Sequence, residues 1–171
     1  MTGWLEPSAI LTALILGFVT LQRLSELVIA RRNTARLFAE GAVEHAAAHY
    51  PLIVLLHAAW LIGLWILAWG QPINLWLLLA FAILQAGRVW VLATLGSRWT
   101  TRIITVPGER LVAKGPFRFV RHPNYLVVSL EIACLPAVFG LWLYALVFAV
   151  LNLAVLTIRI RAENAALSPS R

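Results

Sequence analysis

The chain is poor in cysteine and in charge. Cys134 is its only cysteine, which excludes an internal disulfide and a cysteine-built metal site. Charged residues make up 12% of its 171 residues, against about 25% in soluble domains. No Lys or Arg precedes the first apolar run, so a secretory signal peptide is not expected. No internal repeat, low-complexity segment or His-Glu-x-x-His zinc motif is present in the sequence. What fills the chain instead is apolar: 61% of residues are hydrophobic. This composition reads as an integral membrane protein with one domain across residues 1–171, because no soluble stretch is long enough for a second core. The net charge of +7 invites a nucleic-acid reading. The basic residues flank apolar runs rather than forming a stripe on a soluble face, so a nucleic-acid partner is not expected.

The apolar runs set an all-α membrane architecture. The first extends from about Ser8 to Ala30, where roughly 23 residues at about 1.5 Å each cross a bilayer. The second extends from about Ala46 to Trp69 and stops at Gly70-Gln71-Pro72. The third extends from about Ile73 to Leu95 and stops at Gly96. The last, from Pro123 to about Ile158, is too long for one span and is interrupted near Pro136 and Gly140, so it reads as a tight helical hairpin. Five transmembrane helices are expected. Arg102 to Val106 alternates briefly and reads as a loop or short extended segment.

The linkers set the orientation. Arg31, Arg32 and Arg36 lie in the first linker, six basic residues between Arg98 and Arg121 lie in the third, and Arg159, Arg161 and Arg171 lie at the C-terminus. The second linker, the hairpin tip and the N-terminal residues before Ser8 carry no Lys or Arg. The positive-inside rule places the N-terminus outside and the C-terminus in the cytoplasm. The odd number of spans agrees.

Polar residues converge on the cytoplasmic side. Between two apolar runs stand Gly115-Pro116-Phe117 and Arg121-His122-Pro123-Asn124-Tyr125. Lipid cannot satisfy such groups, so they sit at the membrane surface or line a cavity. Arg159 and Glu163 are spaced i, i+4 and share one helix face. A surface arginine belt with an ordinary ion pair explains that spacing equally well. Glu131 lies about eight residues into the fourth span, where an acid is costly. It reads either as a protonated Glu bonded to a neighbouring helix or as a catalytic candidate, touching substrate or acting as general base for a hydroxyl. Arg23 and Arg88 fall near the cytoplasmic ends of their spans and read as snorkelling or paired, Arg23 with Glu26 for example. His45, His49 and His57 are expected on neighbouring faces of the second span, either as a polar seam or with His49 and His57 lining a substrate pocket. The tryptophans read as interfacial belt or packing, with Trp99 beside the cytoplasmic loop a further site candidate.

These motifs resemble the isoprenylcysteine carboxyl methyltransferase family of integral membrane enzymes. The family pattern is a Gly and a turn, then Arg-His-Pro-x-Tyr, two spans, and Arg-x-Arg-x-Glu. Here it is matched by Gly115, Arg121-His122-Pro123-Asn124-Tyr125 and Arg159-Ile160-Arg161-Ala162-Glu163. Arg31-Arg32-Asn33, Gly41-Ala42-Val43-Glu44 and His49-Tyr50-Pro51 resemble bacterial members in particular. The resemblance implies S-adenosyl-L-methionine as cofactor, held in a pocket formed by the cytoplasmic loop and the C-terminal helix end, about residues 98–167. It implies cofactor contacts from Glu109, Arg110, Leu111, Val112, Phe117, His122, Pro123, Asn124, Tyr125 and Glu163. Arg159 matches a position that holds the substrate carboxylate. Two departures stand out: Asn164 replaces an acid that follows the first Glu in eukaryotic members, and Arg102 stands where those members carry a Gln.

The chemistry is compatible with these residues. Glu163 suits the cofactor ammonium, and His122 with loop N–H groups suits its carboxylate. Alignment is the main demand of an in-line methyl transfer. The expected acceptor is a lipid-tailed molecule from the inner leaflet, methylated on a carboxylate or an acidic hydroxyl. Membrane lipids are the other expected partners, no metal is expected, and the oligomeric state is not encoded in any readable way. A membrane reductase using NADPH and a non-catalytic adaptor or small transporter are the competing readings.

Overall fold

The structure, a computed structural model, describes residues 7–108 and 112–167, the side chains of His49 and Leu167 excepted. Among the described residues there are five α-helices: α1 (Pro7–Ala39), α2 (Tyr50–Leu67), α3 (Leu75–Leu95), α4 (Pro123–Val138) and α5 (Trp142–Leu167). Four of them are long and apolar enough to cross a membrane, and α4, with 16 residues, is the short one. The all-α membrane architecture with about five helices is therefore present.

Local chemistry explains the boundaries. α1 has 33 residues and continues nine beyond Ala30, through the arginine-rich segment expected to be a linker. Polar residues do not stop a helix, and no Gly or Pro intervenes before Gly41, which adopts φ 85°. α2 ends before Gly70, at φ 72°. Asn74 caps α3, its side-chain oxygen accepting from the backbone N–H groups of Trp76 and Leu77 at 3.0 and 3.1 Å. α4 starts on Pro123, which needs no N–H partner in the first turn.

The break between α4 and α5 falls at Phe139, Gly140 and Leu141, with Gly140 at φ 69°. Pro136 lies inside the last turn of α4 rather than at the break. Having no N–H, Pro136 leaves the Ile132 carbonyl without its usual helical donor. The indole N–H of Trp60, from α2, donates to that carbonyl at 3.1 Å. Gly63 allows a second close approach: a Cβ there would overlap the Tyr144 hydroxyl, which donates to the Trp60 carbonyl at 2.9 Å.

α4 packs most extensively on α3 and α5. Leu16 and Val19 of α1, Leu56, Trp60 and Leu64 of α2, Phe81 of α3, and Ile132, Leu135 and Val138 of α4 form the buried core. Leu14, Phe18, Leu55, Ile66, Ile83, Leu143 and Leu146 point outward and exposed, as residues facing lipid do. This is an integral membrane protein.

A two-stranded antiparallel ribbon joins two linkers. β1 (Val43–His45) pairs with β2 (Ile103–Thr105), with Val43 opposite Thr105 and His45 opposite Ile103. His45 therefore belongs to a strand and not to the second span, and its ring nitrogen Nε2 meets the Thr105 hydroxyl at 2.7 Å. At the opposite end of the bundle, the Asn74 N–H donates to the Val138 carbonyl at 2.8 Å and ties the α2–α3 linker to the α4–α5 turn. The basic linkers thus share the ribbon end, and the uncharged ones share the other.

Glu131 is completely buried, and its carboxylate accepts from Arg23 at 2.7 Å, Arg88 at 2.8 Å and Gln85 at 2.9 Å. Arg88 also reaches both carboxylate oxygens of Glu26 at 2.5 Å, and Arg23 meets Glu26 at 3.4 Å. Two cations and two anions balance. The four side chains lock α1, α3 and α4 together inside the bilayer, where an unpaired charge is expensive.

Candidate functional site

The ribbon end holds a cavity of about 820 Å3. Four elements build it. The first is the ribbon: Arg102 beside β2 lies 2.8 Å from Glu44 and stacks on the Tyr50 ring at 5.0 Å. The second is the turn Gly115–Arg118. Gly115 has φ 58°, and a Cβ on it would stand 2.6 Å from the Thr94 hydroxyl of α3. Only glycine suits both constraints, and the resulting tight seat carries Phe117 to the cavity wall.

The third element is the start of α4. His122, Pro123, Asn124 and Tyr125 line the cavity at the positive end of the helix. The His122 ring stacks on Tyr125, with centroids 5.4 Å apart. The fourth is the last part of α5, which contributes Arg159 and Glu163. Arg159 Nε donates to the Tyr125 hydroxyl at 2.8 Å, and its Nη2 donates to the Thr101 carbonyl at 2.8 Å. The Tyr125 hydroxyl donates to Glu163 Oε2. His122 Nδ1 lies 3.6 Å from Glu163 Oε1. The two motifs, separated by two helices in sequence, thus meet around one space.

Val112, Phe117, His122, Pro123, Asn124, Tyr125, Arg159 and Glu163 all line this cavity. Glu109, Arg110 and Leu111 lie outside the described residues, as does the His49 side chain. Glu131 and His57 are not in the lining. Glu131 belongs to the ion cluster below the cavity, and His57 Nδ1 faces the Ile53 carbonyl of its own helix at 2.8 Å. Trp99 lines the cavity, is only 4% exposed, and carries a buried indole N–H with no partner among the described residues. An unsatisfied buried donor at a cavity wall is a ready contact for a ligand acceptor. The Asn33 amide donates to the Trp99 carbonyl at 2.8 Å and fixes that residue against α1.

The profile of the isoprenylcysteine carboxyl methyltransferase (ICMT) family matches residues 74–169, which span α3, the site loop, α4 and α5. The chain belongs to this family. Membership supports a membrane methyltransferase, in keeping with the apolar helices around the site. Two bacterial relatives are similar over most of their length. "Uncharacterized protein YpbQ" of Bacillus subtilis (strain 168) is 38% identical over 159 residues, covering 90% of this chain and 95% of the relative. An "Uncharacterized protein" of Haemophilus influenzae is 29% identical over 159 residues, covering 85% of this chain and 88% of the relative. No solved structure matches the chain.

An ICMT-type site must accept a group bearing an ammonium, a carboxylate and an adenosine. The residues present fit such a group. Glu163 is the only carboxylate among the described lining residues, Arg102 and Arg121 add cations, and Trp99 and Phe117 add aromatic surface. The Trp99 N–H supplies a donor that the described residues leave unused.

Proposed function

We propose that this protein is an S-adenosyl-L-methionine-dependent O-methyltransferase of the bacterial inner membrane. Its acceptor is an amphiphilic, lipid-tailed molecule bearing a carboxylate or an acidic hydroxyl, drawn from the inner leaflet. The observation that carries the reading is the meeting of His122–Tyr125 with Arg159 and Glu163 around one cavity at the basic end of the bundle. That end faces the cytoplasm and the N-terminus lies outside, in accord with the positive-inside rule.

Glu163 would hold the cofactor ammonium, and His122 and Arg121 would hold its carboxylate. Val112, Pro123 and Asn124 would complete the pocket, and Phe117 and Trp99 would flank the base. When bound, the cofactor would supply an electrophilic methyl group on a sulfonium. Arg159 orients the acceptor anion, a task suited to a planar, permanently charged guanidinium.

Charge favours an ionised acceptor. Arg102 is paired with Glu44, while Arg121 and Arg159 line the cavity beside Glu163, the only acid among the described lining residues. An ionised acceptor oxygen would need no proton acceptor from the chain. Glu131, closed in by three donors, serves to fix the helices rather than to move a proton. His57, on α2, turns its Nδ1 to the Ile53 carbonyl of its own helix and takes no part in the site.

The test is incubation of the purified protein with methyl-labelled S-adenosylmethionine and native membrane lipids. Label is expected in a lipid extract, in a methyl ester or methyl ether. Saturable binding of NADPH without binding of S-adenosylmethionine contradicts the proposal in favour of a reductase, and label in no lipid contradicts the acceptor class.

A further inference from the structure

Arg159 and Glu163 stand one helical turn apart on α5, at a spacing where an arginine and a glutamate pair readily. Among the described residues they do not pair with each other. A single hydroxyl stands between them. The Tyr125 oxygen accepts from Arg159 Nε at 2.8 Å and donates its proton to Glu163 Oε2. The guanidinium also packs on the Tyr125 ring, 5.5 Å from its centroid, and Nη2 is drawn to the Thr101 carbonyl. Both partners of Arg159 are neutral. Its charge is therefore held in place without being cancelled. Glu163 is likewise held by a phenol on one oxygen and faces His122 Nδ1 at 3.6 Å on the other.

We propose that Tyr125 is a positioning residue whose hydroxyl keeps Arg159 and Glu163 from neutralising each other, so that the cation stays available to an anionic acceptor and the anion to an ammonium. The proposal rests on the reading of this cavity as a cofactor and acceptor site. Arg159 is 7% exposed, so an ion pair formed there would be poorly screened. Without the hydroxyl, nothing stands between the two charges, and their one-turn spacing lets them pair directly. The direct pair would then compete with both ligands. A phenol is well matched to the gap: it accepts from a guanidinium and donates to a carboxylate at once. The stack of the His122 ring on Tyr125 holds the phenol at that depth.

The test uses purified full-length protein and S-adenosylhomocysteine, which carries the same ammonium and carboxylate as the cofactor, titrated by calorimetry. Tyr125→Phe keeps the ring and its contacts, and circular dichroism reads the fold. Wild type is expected to bind saturably, and Tyr125→Phe to bind about tenfold more weakly, the scale of one competing charge-assisted bond. Arg159→Ala alone is expected to bind within about twofold of wild type, because its partners are neutral. The deciding variant is Tyr125→Phe/Arg159→Ala. With no cation left to capture Glu163, its affinity is expected to return to within about threefold of wild type. A purely structural role for Tyr125, or a direct contact between its hydroxyl and the ligand, gives no such rescue. Wild-type affinity in Tyr125→Phe, or a double variant as weak as Tyr125→Phe alone, overturns the proposal. Absence of binding to the wild type removes the cofactor reading itself and the proposal with it.

Discussion

Removing Glu131 should damage stability through charge imbalance, and removing its partner as well should repair most of the damage. Glu131→Leu leaves Arg23, Arg88 and Gln85 without their shared acceptor and gives the cluster a net positive charge. Breaking a buried ion pair from one side costs about 3–5 kcal/mol. For a chain of this size that corresponds to a fall in melting temperature of about 6–20 °C. Glu131→Leu/Arg88→Met removes one charge of each sign and leaves Arg23 beside Glu26, already 3.4 Å apart. The double variant should recover to within about 2 kcal/mol of wild type, as expected when an ion pair is replaced by apolar groups. Thermal unfolding in one detergent, followed by circular dichroism, measures both. A Glu131→Leu melting temperature equal to wild type, or a double variant less stable than the single, refutes the balanced-cluster account. Glu131→Gln adds a separate check. If Glu131 only fixes helices, methyl transfer per folded molecule is retained, whereas a proton-transfer role predicts its loss.

Three further outcomes are expected. Arg159→Ala should raise the acceptor KM at least tenfold with little change in cofactor affinity, whereas His122→Ala should weaken cofactor binding at least tenfold; steady-state kinetics with the identified acceptor and calorimetry separate the two, by loss of about one charge-assisted contact each. Gly115→Ala should cost about 2–5 kcal/mol, summing a left-handed backbone and overlap with Thr94, and should weaken cofactor binding through Phe117; unfolding and titration read both. Trp60→Phe should cost about 1–3 kcal/mol by leaving the Ile132 carbonyl unpaired at Pro136, and a melting temperature equal to wild type would contradict that role.

The helices were legible because apolar runs and Gly or Pro punctuation are local. The extension of α1 was not, since Arg31 to Ala39 is polar yet contains nothing that terminates a helix. The ribbon was half legible. Arg102 to Val106 alternates, but its partner strand of three residues lies about sixty positions away and carries no pattern of its own. That pairing, a long-range event, moved His45 off the second helix and made Arg102 a cavity wall. The site motifs were legible as residue types, and their meeting follows from the α4–α5 hairpin, whose break at Gly140 was visible. Arg23, Arg88 and Glu131 each stood out as intramembrane charges. Their mutual closure required knowing which helices touch, because Arg23 and Glu131 are 108 positions apart. Trp99 stood out beside the cytoplasmic loop, but its contact with Asn33, 66 positions away, was obscure for the same reason.

The central claim is that the ends of α4 and α5 enclose a site for a donor bearing an ammonium, with Glu163 as its anion. The most direct measurement is a titration of purified wild type and Glu163→Ala with S-adenosylmethionine. The account predicts saturable, one-to-one binding in wild type and its loss in Glu163→Ala at unchanged fold. Equal binding by the two proteins, or none by the wild type, would contradict it.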